Sequence, residues 1–577
     1  MNQLISKGIP WFRGLGALLL LLVANCGSSP AESTATGEAP AAALAGQDAA
    51  GINEASDAAG PEAQEANDPE ALEARSIDGT GNNRSQPLWG SAGIRLERLA
   101  PAAYADGVSE PGGAERPNPR AISNAVVAQD ESIPNARGLS AFMFVWGQFL
   151  DHDLDLSMTD PNDPLPIEIP LGDPFFDPSG SGEATMAFSR SVFDSETGSS
   201  PDNPRQQLNV LTAWIDGSQV YGSDAARAAW LRSGVGGRLK TSEGDLLPLN
   251  DGTQANAPSN ASDFFVAGDL RVNEQTALAA IHTLFVREHN RLAAELQEKH
   301  PDWDDERLYQ EARRWVGAFL QSITFHEFLP ALLGKEALGP YRGYDPTLNP
   351  NILNEFSTAF FRVGHTMLTS EIPLLDENGQ SLPSGDLSLQ DAFFNVEILK
   401  EQGLDPLLRG LLSQKMEEID SHVVSEVRNF LFGAPGSGGL DLPSLNLQRG
   451  RDHGLPDYNT LRVALGLKPI ADFSELSSDL EVQAAFREVY ASVDDVDPWI
   501  GALAEDHVDG AGVGPTLKAA LLRQFEALRH GDRFWYENDP AFSREDRRRI
   551  AATRLSDILR RDSGVSEAQA QAFEVPR

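Results

Sequence analysis

The chain has 577 residues, 41% apolar and 8% aromatic, enough for one large domain or up to about four small ones with buried cores. Its formal charge of −39 excludes nucleic acid, whose phosphates such a surface repels, and it disfavours anionic membrane surfaces in the same way. A charge of this size chiefly keeps a surface solvated.

In chain order, residues 1–26 read as an export signal. Lys7 and Arg13 form a basic head, and the apolar run 18–23 (LLLLLV) is far shorter than the roughly 20 residues that span a bilayer. The segment ends Val23-Ala24-Asn25-Cys26-Gly27, which resembles the lipobox of bacterial lipoproteins. Cys26 would be the acylated first mature residue, and the protein an outer-membrane lipoprotein, periplasmic or at the cell surface; as a plain secretory signal the segment would make it a secreted protein. It is the only cysteine in the chain, so no intrachain disulfide can form. Residues 27–74 carry ten acidic side chains and no basic ones among Ala, Gly and Ser, the composition of a disordered spacer. The body runs over 75–562, with 563–577 as a C-terminal tail.

Within the body, Leu278, Ile281, Phe285, Leu292 and Leu296 fall on one stripe and predict a helix over 274–297. The stretches 304–333 and 399–432 read similarly. Alternating strand patterns are few and short. The fold class is mainly α: a single large helical domain with very little β and long Gly/Pro-rich connections.

Four clusters carry candidate chemistry. In Trp146-Gly-Gln-Phe-Leu-Asp-His-Asp-Leu-Asp155, Gln148, Asp151 and His152 are spaced i, i+3, i+4 and project together from a helix. A histidine flanked by carboxylates suits a metal ligand, a general base or a solvated helix end. Arg271 and Glu274, in Ala267-Gly-Asp-Leu-Arg-Val-Asn-Glu274, suit an ion pair at a helix start. Phe361-Arg-Val-Gly-His365 places one histidine in an apolar setting, as in a satisfied core. Leu440-Asp-Leu-Pro-Ser-Leu-Asn446-Leu-Gln-Arg449-Gly-Arg-Asp-His453 is dense in polar groups inside an apolar frame.

Together with Arg75-Ser-Ile-Asp-Gly-Thr-Gly-Asn-Asn83, Pro119-Arg-Ala-Ile-Ser-Asn124, Ile281-His-Thr-Leu-Phe-Val-Arg-Glu-His-Asn-Arg291 and Gly531-Asp-Arg-Phe-Trp-Tyr-Glu-Asn538, these clusters resemble, in order, the animal-type haem peroxidases of the peroxidase–cyclooxygenase superfamily. The resemblance runs from about Arg75 to Leu555. It implies haem b, H₂O₂ and a small reducing substrate, such as bromide, iodide, thiocyanate or a phenol; no protein partner is readable. It makes His152 the distal base, Arg271 the group that steadies developing charge, and Gln148 the holder of a distal water or anion. His365 becomes the haem-iron ligand and Asn446 the acceptor of its imidazole N–H. Arg362 and Arg449 pair with haem propionates, and Asp151 and Glu274 stand where the family forms ester bonds to haem. The resemblance also implies Ca²⁺ held by Asp153, Thr212, Trp214 (through its carbonyl), Asp216 and Ser218, an all-oxygen set.

Two departures stand out. Gln275 occupies the position of the methionine that makes a sulfonium link in the halide-oxidising leukocyte enzyme, so that link cannot form. Gly81 replaces a cysteine of the disulfide-rich animal members. Two other functions sit on the same fold. A fatty-acid dioxygenase places a radical-forming tyrosine three residues before the proximal histidine, where this chain has Arg362. A catalytically idle adhesion protein would not need the pair His152 and Arg271. A non-haem metal hydrolase lacks any second histidine at ligand spacing.

Overall fold

A computed structural model describes residues 73–576. The export signal, Cys26 and nearly all of the spacer lie outside the described residues. Among these, helices dominate and the strands form four two-stranded sheets.

The centre of the body is helix α1, Phe142–Leu154. Phe142, Val145, Trp146 and Phe149 are fully buried, as expected of a helix that is apolar nearly all round. Trp146 meets Phe149, Phe285 and Phe573 edge-on, and its indole N–H donates to Thr324 Oγ1 at 3.3 Å. After α1 the chain loops to a single helical turn, α2, Ser218–Tyr221.

The predicted long helix is α3, Thr276–Lys299. Gln275 caps it: its side-chain oxygen accepts from Ala277 N at 2.8 Å, so Glu274 lies just outside the helix rather than within it. Leu278, Ile281, Phe285 and Leu292 are buried against α1, with Phe149 and Phe285 stacked at 5.2 Å. Helix α4, Asp305–Ile323, runs on through a π-helical turn, Thr324–Phe328, into Leu329–Leu333. The whole predicted run 304–333 is therefore helical, with one wider turn in it. Next come α5, Asn354–Thr358, a 3₁₀ segment Phe360–Thr366, and α6, Leu442–Asp452.

The stretch 399–432 departs from its helical expectation. It breaks into Glu397–Gln402, Asp405–Ser413 and Ser425–Arg428. Gly403, at φ 73°, ends the first piece in a conformation that glycine adopts without strain. Between the last two pieces, Lys415, Glu417 and Val423 form isolated bridges with Ser140, Pro134 and Ala128. Those bridges take backbone groups a helix would need.

The residues after Asp562, set apart above as a tail, belong to the body. Val565, Ala572 and Phe573 are buried, and Ser140 Oγ donates to Ala572 O at 2.6 Å.

Candidate active site

A cavity opens between α1 and the 3₁₀ segment that carries His365. His152 and Arg271 line it together with His365. Gln148, Asp151, Glu274, Arg362 and Arg449 also face it. Asn446 stands behind His365.

On the α1 side, His152 is buried and held neutral. Burial, then the charge of Arg271, pushes its pKa well below the usual histidine value. Its Nε2 lies 3.9 Å from Glu274 Oε2 and its Nδ1 3.5 Å from Asp269 Oδ1. Arg271 does not pair with Glu274, as a helix-start ion pair would require. Instead Asp269 clamps it: Nε donates to Oδ1 at 3.0 Å and Nη2 to Oδ2 at 2.9 Å, while Nη1 reaches Asp151 at 3.2 Å. A guanidinium gripped by the Asp269 carboxylate and the Asp151 carboxyl has little freedom to reorient. Gln148 is fixed as well, donating to Glu274 Oε2 at 2.8 Å and accepting from Gln275 Nε2 at 3.2 Å. Burial lifts Glu274 to about 8 and, with Asp155 nearby, raises Asp151 well above the carboxylate range.

On the other side, burial and Arg362 hold His365 near pKa 3, so its imidazole is neutral. Asn446 meets it at 2.8 Å, but in the reverse sense to that expected: the amide nitrogen faces His365 Nδ1. Arg362 Nη1 donates to the amide oxygen at 2.9 Å. A guanidinium offers only donors, so the oxygen must turn to it. Arg449 lines the cavity while bound to Asp452 Oδ2 at 2.5 Å and to Ser191 Oγ at 2.9 Å.

The five residues of the expected cation loop come together beside α1 and are all buried. Asp153 Oδ1 accepts from Ser218 N at 2.5 Å, and Oδ2 from the backbone of Asp216 and Gly217 at 3.1 and 3.2 Å. Thr212 Oγ1 donates to Asp216 Oδ1 at 3.2 Å, and Ser218 Oγ donates to Asp153 O at 2.9 Å. Asp216 Oδ2 is buried without a hydrogen-bond partner. Burial raises both carboxyls, Asp153 further through its neighbour Asp216. Among the described residues no group of three or more His, Cys, Asp or Glu is placed to hold a metal. A cation here would rest on two carboxylates plus hydroxyl and carbonyl oxygens.

The family model described as Animal haem peroxidase matches residues 74–573. The chain belongs to that family. It is 38% identical to peroxinectin A of Dictyostelium discoideum over 86% of this chain and 95% of the relative. It is also 38% identical to peroxidasin of Drosophila melanogaster over 84% of this chain, but spans only 35% of that protein. Among solved structures, peroxidase A from Dictyostelium discoideum superposes with a TM-score of 0.80 at 37% identity, covering 87% of this chain and all of that one. A fatty acid α-dioxygenase from Oryza sativa reaches a TM-score of 0.73 at 21% identity, a likeness of fold alone. This animal-type haem peroxidase is an oxidoreductase acting on H₂O₂.

Several groups in this peroxidase's cavity escaped the sequence reading. Asp155 and His453 line it, and Asp269 stands directly behind His152 and Arg271. The pair Asp269 and Arg271, two apart, was visible in the second cluster, but an i, i+2 spacing carries no helical signal. Phe394 and Phe432 adopt φ of 53° and 63° with their rings 4.9 Å apart, and Phe432 lines the cavity. Non-glycine residues in that region are strained by roughly 1–3 kcal/mol each and cluster at functional sites. Single-residue backbone strain leaves no mark in a sequence pattern.

Proposed function

We propose that His152, Arg271 and Gln148 form the peroxide side of this peroxidase and that His365 is the protein ligand of a haem b. One observation carries the reading: both neutral histidines face one cavity, with Arg271 clamped beside His152. The residues suit a haem. Two imidazoles, two guanidiniums and two carboxyls held near neutrality by burial, all lining one cavity, match an iron ligand and distal base, propionates and ester positions. When bound, haem supplies the iron centre at which peroxide is reduced and which the donor substrate then regenerates.

The chain's own residues do the rest. Neutral His152 takes the proton from one peroxide oxygen and returns it to the other, so that water leaves. Arg271 stabilises the negative charge as the O–O bond lengthens, without moving to do so. Arg362 and Arg449 would bind the propionates. With its guanidinium so engaged, Arg362 would release the Asn446 oxygen to accept from His365 Nδ1–H, the direction the family resemblance implies. Asp151 and Glu274 are the proposed ester positions. Ca²⁺ at Asp153, Thr212, Trp214, Asp216 and Ser218 would be bound by Asp216 Oδ2, which accepts no hydrogen bond and lies 3.9 Å from Arg313 Nη2, and would brace the residue next to His152.

Small anions and phenols are the proposed donors; Phe393 and Phe432 on the cavity wall favour an aromatic ring, and Gln275 leaves no sulfonium link. We further propose export with lipid anchoring at Cys26. Membrane association that survives Cys26→Ser would reject the anchor.

The deciding experiment is a pair of substitutions. His152→Ala should bind haem yet react with peroxide about 10²–10⁴-fold more slowly, the range for loss of a general acid–base group. His365→Ala should fail to hold haem. A His152→Ala protein reacting at the parent rate, or a His365→Ala protein with the parent spectrum, overturns the corresponding role.

A further inference from the structure

We infer that Asp269 is a positioning residue that sets both peroxide-side groups at once: it directs the Nδ1–H of His152 and fixes the guanidinium of Arg271. The inference rests on His152 and Arg271 acting as proposed above.

The geometry leaves Asp269 little alternative. It is 1% exposed and spends both oxygens on its neighbours: Oδ1 accepts from Arg271 N at 2.7 Å and Nε at 3.0 Å, Oδ2 from Nη2 at 2.9 Å. Oδ1 also lies 3.5 Å from His152 Nδ1, a buried atom with no other partner among the described residues. That separation is long for a hydrogen bond. Contacts of this kind tighten as substrate binds. The His282 ring lies 6.3 Å from that of His152, but its buried Nε2 makes no hydrogen bond to His152 or to any other described residue. Its Nδ1 is engaged with Leu278 O at 2.8 Å.

A base that opens onto the cavity through Nε2 must carry its proton on Nδ1, and a carboxylate behind Nδ1 selects that tautomer. Asp269 is suited to it as an anion. Burial alone would raise its pKa, but Arg271 and His152 hold it below the ordinary carboxylate range.

The backbone places Asp269 with equal care. Asp269 N donates to Gln219 O at 3.0 Å. Gly268 packs so closely on α2 that a Cβ there would lie 2.1 Å from Ser218 O. Ser218 in turn holds Asp153, the neighbour of His152. One turn of helix therefore ties the Asp269 strap to α1, and the relative position of carboxylate and imidazole is set from both ends.

The test uses the haem-loaded full chain. Asp269→Asn keeps shape and removes charge. It should slow the Soret change on mixing with peroxide by about tenfold or more, below the full loss of a base, and Asp269→Glu should recover part of the rate. In a His152→Ala background the Asn substitution should add less than its effect alone, because one pathway is already gone. Imidazole ¹⁵N resonances of the ferrous, CO-bound protein, whose ligand brings no proton, with His152 assigned by its loss in His152→Ala, should show the proton on Nδ1. A parent-rate Asp269→Asn protein, full multiplication of the two effects, or a His152 protonated on Nε2 overturns the inference. The last reading needs no Asp269 variant, so it decides the matter even if Asp269→Asn fails to fold. A parent-rate His152→Ala protein would reject the base assignment instead, and the tautomer would still report whether Asp269 orients the ring.

Discussion

Asn446 reaches His365 through its amide nitrogen, 2.8 Å from Nδ1, because Arg362 holds the amide oxygen at 2.9 Å. With Arg362 drawn to a haem propionate, the Asn446 oxygen would be free to accept from His365 Nδ1–H. A histidine whose Nδ1–H is accepted by a partner becomes a better donor and favours the ferric state. Arg362→Leu removes a positive charge beside His365, so the Fe(III)/Fe(II) potential should fall. Asn446→Leu removes the acceptor, so the potential should rise. Spectroelectrochemistry of both variants checks this, and shifts of the same sign would falsify it.

Covalent haem is the second prediction. Asp151 and Glu274 face the cavity, and burial keeps both protonated more readily than surface carboxyls. After turnover with peroxide, acidified organic solvent should leave haem on the protein. The double change Asp151→Asn and Glu274→Gln should let it extract cleanly. Clean extraction from the parent rejects the ester links while leaving peroxidase activity intact.

Much of this site was legible in the sequence, and the limits are physical. His152 with Asp151, and the helix after Gln275, follow from i, i+3, i+4 spacing and one apolar stripe, both local properties. His365 and Arg271 became readable only through the family's ordered motifs, because the cavity joins segments far apart in the chain. Asp269 behind His152 is a tertiary relationship with no periodic signature. The Asn446 amide was assigned the opposite sense because its second partner, Arg362, lies 84 positions away in sequence. Likewise 399–432 kept helical periodicity in its apolar residues, but bridges from Ser140, Pro134 and Ala128 claimed its backbone.

Calcium removal should act on stability and on the peroxide side together. Asp153 and Asp216 are buried near each other, and Asp216 Oδ2 accepts no hydrogen bond, its nearest cation being Arg313 Nη2 at 3.9 Å. A site filled at a hundred times its Kd adds about 2.7 kcal/mol. A chelator should lower Tm and slow the peroxide reaction, and added Ca²⁺ should restore both. Asp216→Asn should abolish the response. A Tm indifferent to chelator and to added Ca²⁺ would remove the cation from the account.

Glu327 should give the protein a stability that falls as pH rises. It sits in the π-helical turn after α4, 8% exposed, with Oε1 accepting from Leu555 N at 2.9 Å and Oε2 without a partner. Burial lifts its pKa from 4.5 to about 7. Between those values the folded chain holds a proton that the unfolded chain has released, so stability declines through that window and levels off above it. A shift of this size corresponds to at most about 3 kcal/mol, at 1.36 kcal/mol per unit. Glu327→Gln removes the ionisable group while keeping the acceptor for Leu555 N. Urea midpoints should coincide for parent and variant near pH 4 and diverge above pH 7, the variant being the more stable by about 1–3 kcal/mol. Parallel pH profiles for the two proteins would show that Glu327 titrates alike in the folded and unfolded chain, so that burial does not raise it.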